Sequence, residues 1–330
     1  MLNPYLHLNE DIFTKSDLKP VRDGFGEALV ELGKKNPKVV VLTADLKEST
    51  RCEEFAKEFP DRFFEVGVAE QNLAAIAAGL GVSQKIPFIC SYAVFSPGKN
   101  WETIRTTIAY NNSNVKIAGH HAGIVTGADG ATHQATEDLA IVRSLPNFTV
   151  FIPCDALEAK KITLESARII GPVYLRFSRE KTPLITSENT PFAPTKVQIF
   201  WTSSKPQVAI FATGHMLYYA LLAAKNLEKE KIQTLVVNVS TIKPVDENMV
   251  TQIVKKCGAG VTVEDHQVIG GLGSTISEIL AKNFPAPLEF IGLQNTFAQS
   301  GEAKELIKKY KMDETAIMEA AKKVIARKHH

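Results

Sequence analysis

A glutamate, three histidines and a run of glycines carry the densest chemistry in this sequence. Glu70 lies in Gly67-Val68-Ala69-Glu70-Gln71-Asn72, after the short run Phe63-Phe64-Glu65-Val66 and before a segment rich in alanine and glycine. The run reads as a strand and residues 71–81 as a helix, which puts Glu70 in the first helical turn. The positive end of the helix dipole favours a carboxylate there, and that alone accounts for many such residues. The helix, however, carries Ala74, Ala75, Ala77, Ala78 and Gly79, small enough for other backbone or another chain to approach closely. A carboxylate buried at such a seam would have a raised pKa, which suits proton transfer.

The second stretch runs from His120-His121 through Gly123, Gly127, Asp129 and Gly130 to His133-Gln134, then Glu137-Asp138. It follows a predicted strand and precedes a predicted helix, the end of an open α/β sheet at which ligands bind. The glycines permit turns that other residues resist. Two histidines twelve residues apart across such a loop can converge on one polar substrate. Between the two stretches, Tyr92 and Phe95 are spaced by three; such a pair either packs as core or stacks on a flat heterocycle.

The elements that must position these groups alternate at short spacing. Helical periodicity covers 22–36, 70–82, 100–110, 136–144 and 156–168. Apolar runs at 38–43, 86–92, 114–119, 148–152 and 172–177 read as strands of a parallel sheet with helices on both faces. Residues 178–206 contain Pro183, Pro191, Pro194 and Pro206 and read as a linker with a possible edge strand at 197–201. A second series has strands at 207–212, 234–239, 260–264 and 288–291. Its helices fall near 214–229, 246–257, 272–282, 302–310 and 313–328. The fold class is therefore two doubly wound α/β domains; a single (β/α)8 barrel has a compatible length but not the proline-rich break.

The 330 residues suit about two domains, and 45% hydrophobic with 22% charged residues is ordinary for a soluble protein. Thirty-eight Lys and Arg against 36 Asp and Glu leave a charge of +2, which gives no footprint for nucleic acid or an anionic membrane. The apolar runs are too short to span a bilayer, and the polar start is unlike a signal peptide. Cys52, Cys90, Cys154 and Cys257 lack CxxC spacing, so reduced thiols in a cytoplasmic protein are expected, with no disulfide or zinc site. The terminal His329-His330 is assigned no function. Gly270-Gly271-x-Gly273 is a weak nucleotide signal by itself, and with Val263-Glu264-Asp265-His266 it reads as structural.

The segment FEVGVAEQNLAAIAAGL resembles the pyrimidine-domain signature of transketolase-type thiamine-diphosphate enzymes. The resemblance covers nearly all of residues 15–325. It implies a pyrimidine-binding domain at 15–182, a linker at 183–206 and a transketolase C-terminal domain, an α/β sandwich, at 207–328. It assigns Glu70 to the cofactor's aminopyrimidine nitrogen, Tyr92 and Phe95 to the faces of that ring, and Asp45 to a cofactor or dimer contact. His121 and His133 would hold sugar oxygens and relay protons, with His121 preferred over its neighbour His120. Asp129 would bind the hydroxyl that marks ketose stereochemistry. Arg22, Ser49 and Arg179 would grip a terminal phosphate, for which a guanidinium fork is suited. The segment after Phe95, SPGKNWETIR, is longer than its counterpart in full-length transketolases.

The family holds the cofactor's diphosphate through a divalent metal on a Gly-Asp-Gly run followed by Asn. Here only Ala128-Asp129-Gly130 comes near, and it belongs to the substrate loop. The resemblance thus implies the C-terminal subunit of a split transketolase of the pentose phosphate pathway. No metal ligand is expected on this chain; thiamine diphosphate and Mg2+ would be held with an N-terminal partner subunit. An α2β2 assembly acting on sugar phosphates would follow. The alternatives are a 1-deoxyxylulose-5-phosphate synthase-like enzyme, a 2-oxo acid dehydrogenase β subunit, or a non-catalytic homologue that binds a partner.

Overall fold

The computed structural model describes residues 1–329; of the terminal histidine pair, His330 lies outside the described residues. The chain begins with β1 (Leu18–Pro20), α1 (Val21–Lys35), β2 (Val39–Thr43), α2 (Glu53–Glu58), β3 (Phe63–Glu65) and α3 (Glu70–Val82). It continues through β4 (Ile86–Tyr92), α4 (Trp101–Thr103), β5 (Lys116–His120), α5 (Asp138–Arg143), β6 (Thr149–Phe151), α6 (Ala156–Ser166), β7 (Val173–Arg176) and β8 (Lys181–Pro183). The second half contains β9 (Gln198–Trp201), β10 (Val208–Ala212), α7 (Met216–Lys229), β11 (Thr234–Asn238), β12 (Thr241–Lys243) and α8 (Glu247–Cys257). Then follow β13 (Gly260–Gln267), α9 (Leu272–Asn283), β14 (Leu288–Leu293), α10 (Ala303–Lys309) and α11 (Glu314–Ala326).

The unbroken apolar runs become strands shielded on both faces, as expected of parallel strands under helices. Every residue of β2, β5, β7, β10 and β11 is buried. The first sheet has the order β12-β6-β7-β5-β4-β2-β3, parallel except for β12. The second has the order β14-β13-β10-β11-β9, parallel except for the edge strand β9. Phe25, Phe88, Phe151, Tyr174, Phe177, Phe200 and Phe211 are fully buried, each worth roughly 1.5–3 kcal/mol relative to exposure. Side-chain caps start several helices where the sequence places aspartate: Asp155 accepts from the Glu158 N–H at 2.8 Å and Asp313 from that of Ala316 at 3.1 Å.

Three features depart from the sequence reading. The helix expected over 100–110 is one α-turn followed by a π-helix at Ile104–Ala109. The hydroxyls of Thr106 and Thr107 donate back to the carbonyls of Glu102 and Thr103, at 3.0 and 2.6 Å, and compete with the regular ladder. The short strand β12 leaves the second half and adds an antiparallel edge to the first sheet. The N-terminal residues lie on the second half: Asn3 N–H donates to the Phe200 carbonyl, and the Phe13 ring meets Trp201 edge-on at 6.1 Å. Among the described residues no helix is long and apolar enough to cross a membrane.

Candidate active site

Parallel register decides which residues meet. Tyr92, the last residue of β4, pairs with His120, the last of β5, and Gly119 pairs with Arg176 at the end of β7. The chain therefore leaves neighbouring strands along one carboxyl edge. Arg179 follows β7, His121 follows β5, Tyr92 and Phe95 close β4, Asp45 and Ser49 follow β2, and Glu70 opens α3 after β3.

His120 is the last residue of β5 and His121 the first beyond it, and their rings lie in different surroundings. His120 is fully buried between Phe25 and Phe177, with ring centroids 5.0 Å from each. Burial and the neighbouring His121 push its pKa well below the ordinary histidine value. His121 lies on the site side, its ring 3.8 Å from that of Tyr92 and inclined by 25°. Its backbone is left-handed, φ 54°, as are Asp45 and Arg51 at φ 61° and 62°. Left-handed non-glycine residues cost on the order of 1–3 kcal/mol each and gather at functional sites. Phe95 stands parallel to Tyr92 at 6.0 Å, and His133 meets Phe95 edge-on at 5.5 Å.

The Arg22 guanidinium lies 3.1 Å from His121 Nε2. Because a guanidinium only donates, Nε2 accepts, and the tautomer assigned by this bond carries its proton on Nδ1. Burial first, then the charges of Arg22 and Arg179, push the His121 pKa down to about 3, so the imidazole is neutral. Arg22 Nη1 also donates to the backbone carbonyl of Ser49 at 3.0 Å. Arg179 Nη1 donates to the Thr126 carbonyl at 2.9 Å and to the Asp129 carboxylate at 3.4 Å. Burial, Arg51 and Arg179 lower the pKa of Arg22, against the attraction of Asp23. Two buried donors, Arg22 Nε and His121 Nδ1, have no partner among the described residues. Buried polar groups are nearly always paired, so such a pair marks room for an acceptor.

Glu70 is 2% exposed and carries a counter-charge that the sequence reading omits: Lys99 Nζ is 3.0 Å from its carboxylate. Asn100 Nδ2 donates to the Glu70 carbonyl at 2.9 Å and to Ser96 Oγ at 3.2 Å. Lys99 and Asn100 come from the lengthened segment after Phe95, the one signal that could have found them. Arg51 is the other residue missed. Its Nε is paired with Asp23 at 2.7 Å, and its charge acts on both Arg22 and His121. Asp45 is exposed; the Glu65 carboxylate, accepting from the N–H groups of Asp45 and Gly67 at 2.8 and 3.0 Å, closes that turn. On α3, Leu73, Ala74, Ala77 and Ala78 are buried, whereas Ala75, Ile76 and Gly79 face outward beside exposed Val68 and Val82.

Residues 19–184 match the family described as transketolase, pyrimidine binding domain, and residues 199–317 that described as transketolase, C-terminal domain. The chain is thus a pyrimidine-binding α/β unit joined to a transketolase C-terminal unit. A protein of Methanocaldococcus jannaschii, provisionally named a transketolase C-terminal section, is 44% identical over 91% of this chain and 94% of its own length. The 6-deoxy-6-sulfo-D-fructose transketolase subunit of a Clostridium species is 36% identical over 98% of this chain and 99% of its own. A solved structure described as a split gene transketolase, inactive β4 tetramer, shares 44% identity with a TM-score of 0.87, covering 94% of this chain and 99% of that one. Human transketolase is 34% identical over 93% of this chain, which spans only 49% of the human protein. The chain belongs to the transketolase family.

Proposed function

We propose that this chain is the C-terminal subunit of a two-chain transketolase, which moves a two-carbon ketol unit from a ketose phosphate to an aldose phosphate. The observation that carries this reading is the surplus of buried donors, Arg22 Nε and His121 Nδ1, beside the aromatic pair and Glu70 on one carboxyl edge. Thiamine diphosphate, when bound, supplies the nucleophilic carbon and electron sink for breaking a bond beside a carbonyl. The residues present fit its ring end: Phe95 lies parallel to Tyr92, which itself stacks on His121, and Glu70 is a shielded carboxylate.

Each side chain then has a task. Glu70 holds or releases a proton at the pyrimidine nitrogen. Tyr92 and Phe95 orient the ring and exclude water from it. The Nδ1–H of His121 donates to a substrate oxygen, with His133 on the other side of Phe95 as its counterpart. Asp129 would exchange its contact with Arg179 for a sugar hydroxyl. Arg22, Ser49 and Arg179 receive the terminal anion, with Asp45 at the cofactor or subunit edge. Three clustered guanidinium groups favour a phosphate dianion over the sulfonate named in the Clostridium relative.

Diphosphate and Mg2+ ligands would come from an N-terminal partner subunit, and the outward face of α3 would join two copies in an α2β2 particle. The enzyme would work in the cytoplasm, in the pentose phosphate pathway; its four cysteines are free and buried. Calorimetry of the lone chain with thiamine diphosphate and Mg2+ should show weak binding, and addition of the partner chain should produce tight binding and ketol transfer together. Tight binding or transketolase activity by the lone chain would refute the two-chain reading.

A further inference from the structure

Among the described residues, no side chain of the second half belongs to the candidate site, yet one of its carboxylates holds the loop that carries Asp129. Asp265, near the end of β13, is buried. One of its oxygens accepts from the Ile124 N–H at 2.9 Å and the other from the Val125 N–H at 3.4 Å. These are the first N–H groups of the short 3-10 turn at Ile124–Asp129, so a side chain from the other unit caps the substrate loop. The capped turn carries Asp129 and the Thr126 carbonyl that orients Arg179, while the Thr126 hydroxyl donates to the His121 carbonyl at 2.6 Å. Gly123 precedes the turn at φ 84°, and a Cβ there would overlap the Asp265 carboxylate, so only glycine lets the two approach.

Asp265 is itself held in place. Its carbonyl accepts from Arg176 Nη2 at 2.8 Å, and Arg176 is clamped by Asp138, which it contacts at 2.8 and 3.1 Å. His215 Nε2 lies 3.5 Å from the carboxylate. The path from β13 to Arg179 is therefore continuous: Asp265, the turn at Ile124–Asp129, and the guanidinium.

We propose that Asp265 is a positioning residue, which sets the substrate loop so that Asp129, His121 and Arg179 share one geometry. The inference rests on the reading of this edge as a sugar-phosphate site, and its test has an arm independent of that reading. In the lone chain, Asp265→Ala should speed amide exchange at Ile124 and Val125 by about ten- to a hundredfold, the span for a lost hydrogen bond to a charged group. Exchange in β10 and β11 should be unchanged. Asp265→Asn keeps one acceptor and should restore protection at Ile124 but not at Val125, whereas Gly123→Ala should mimic the alanine variant. In the assembled enzyme, Asp265→Ala should raise KM for a ketose phosphate about tenfold and change kcat less than about threefold. Unchanged exchange at 124–130 in a folded variant would overturn the proposal, as would equal losses in kcat and KM that asparagine does not rescue. If Asp265→Ala fails to fold, the asparagine and Gly123→Ala variants decide by the same two readouts. An assembled wild type without ketol transfer would refute the functional reading and leave the exchange result standing.

Discussion

The carboxyl edges of the two sheets make opposite use of the same architecture. Both present loops and helix N-termini, where backbone N–H groups favour an anion. In the second sheet the chain supplies that anion itself. The Glu264 carboxylate accepts from the Leu272 and Gly273 N–H groups at 2.7 and 2.8 Å, and a Cβ at Gly271 would overlap it. Burial raises the pKa of Glu264, against the pull of His266 and the two N–H groups. The glycine-rich turn is thus filled. In the first sheet the charges of Arg22, Arg51 and Arg179 act on His121, and two buried donors have no partner among the described residues. A motif of glycines before a helix does not by itself mark a ligand site; here the N–H groups at the turn are already taken by Glu264.

That contrast can be attacked from both sides. In the first edge, Glu70→Gln should leave the fold intact and depress kcat of the assembled enzyme by about 10²–10⁴-fold. Near-normal turnover at saturating cofactor would remove Glu70 from the chemistry. Arg179→Ala should raise KM for sugar phosphates about ten- to a hundredfold and alter that for unphosphorylated ketoses little. Equal losses on both would dissolve the anion clamp. In the second edge the effect should move from rate to stability: Glu264→Gln should lower the unfolding free energy by about 1–3 kcal/mol, with kcat and KM within about threefold. A kinetic loss without destabilisation would make that turn functional.

The smallest effect concerns His120. Its two ring nitrogens are buried without partners among the described residues, so His120→Phe should stabilise the chain by about 1 kcal/mol at neutral pH and spare turnover. The pH dependence sharpens this. His120 and His121 both have folded pKa values below that of an unfolded histidine, roughly 6.5, so the unfolded chain binds more protons in acid. The stability they carry is complete above pH ~6.5 and is lost as pH falls, for His121 down to about 3. At pH ~5 the neutral His121 costs about 2 kcal/mol, and His120 adds a cost of the same sign. Urea midpoints at neutral pH and at pH ~5 should converge in His120→Phe relative to wild type. An unchanged gap would mean that His120 is not the buried, neutral ring.

Much of the fold was legible because it rests on local signals. Apolar runs bounded by turn residues mark strands, and 3.6-residue periodicity marks helices; the helix expected at 70–82 and the strand at 86–92 coincide with α3 and β4. Glu70 at a strand-to-helix junction and the spacing of His121 and His133 are likewise properties of adjacent residues, as is the aromatic pair at Tyr92 and Phe95. What the tertiary structure alone decided depends on contacts between residues far apart in the chain. No periodicity announces that β12 joins the first sheet or that residues 1–14 lie on the second. Which of His120 and His121 enters the site follows from where β5 ends: His121 is the first residue beyond the strand, and its left-handed backbone sets its ring against Tyr92. Lys99 reaches Glu70 with a long flexible side chain, and Asp265 caps a loop some 140 residues earlier. Sequence fixes the chemistry of each such group, but its partner is chosen by how two separately built sheets pack together, because a charge taken out of water must find a counterpart wherever the fold brings one.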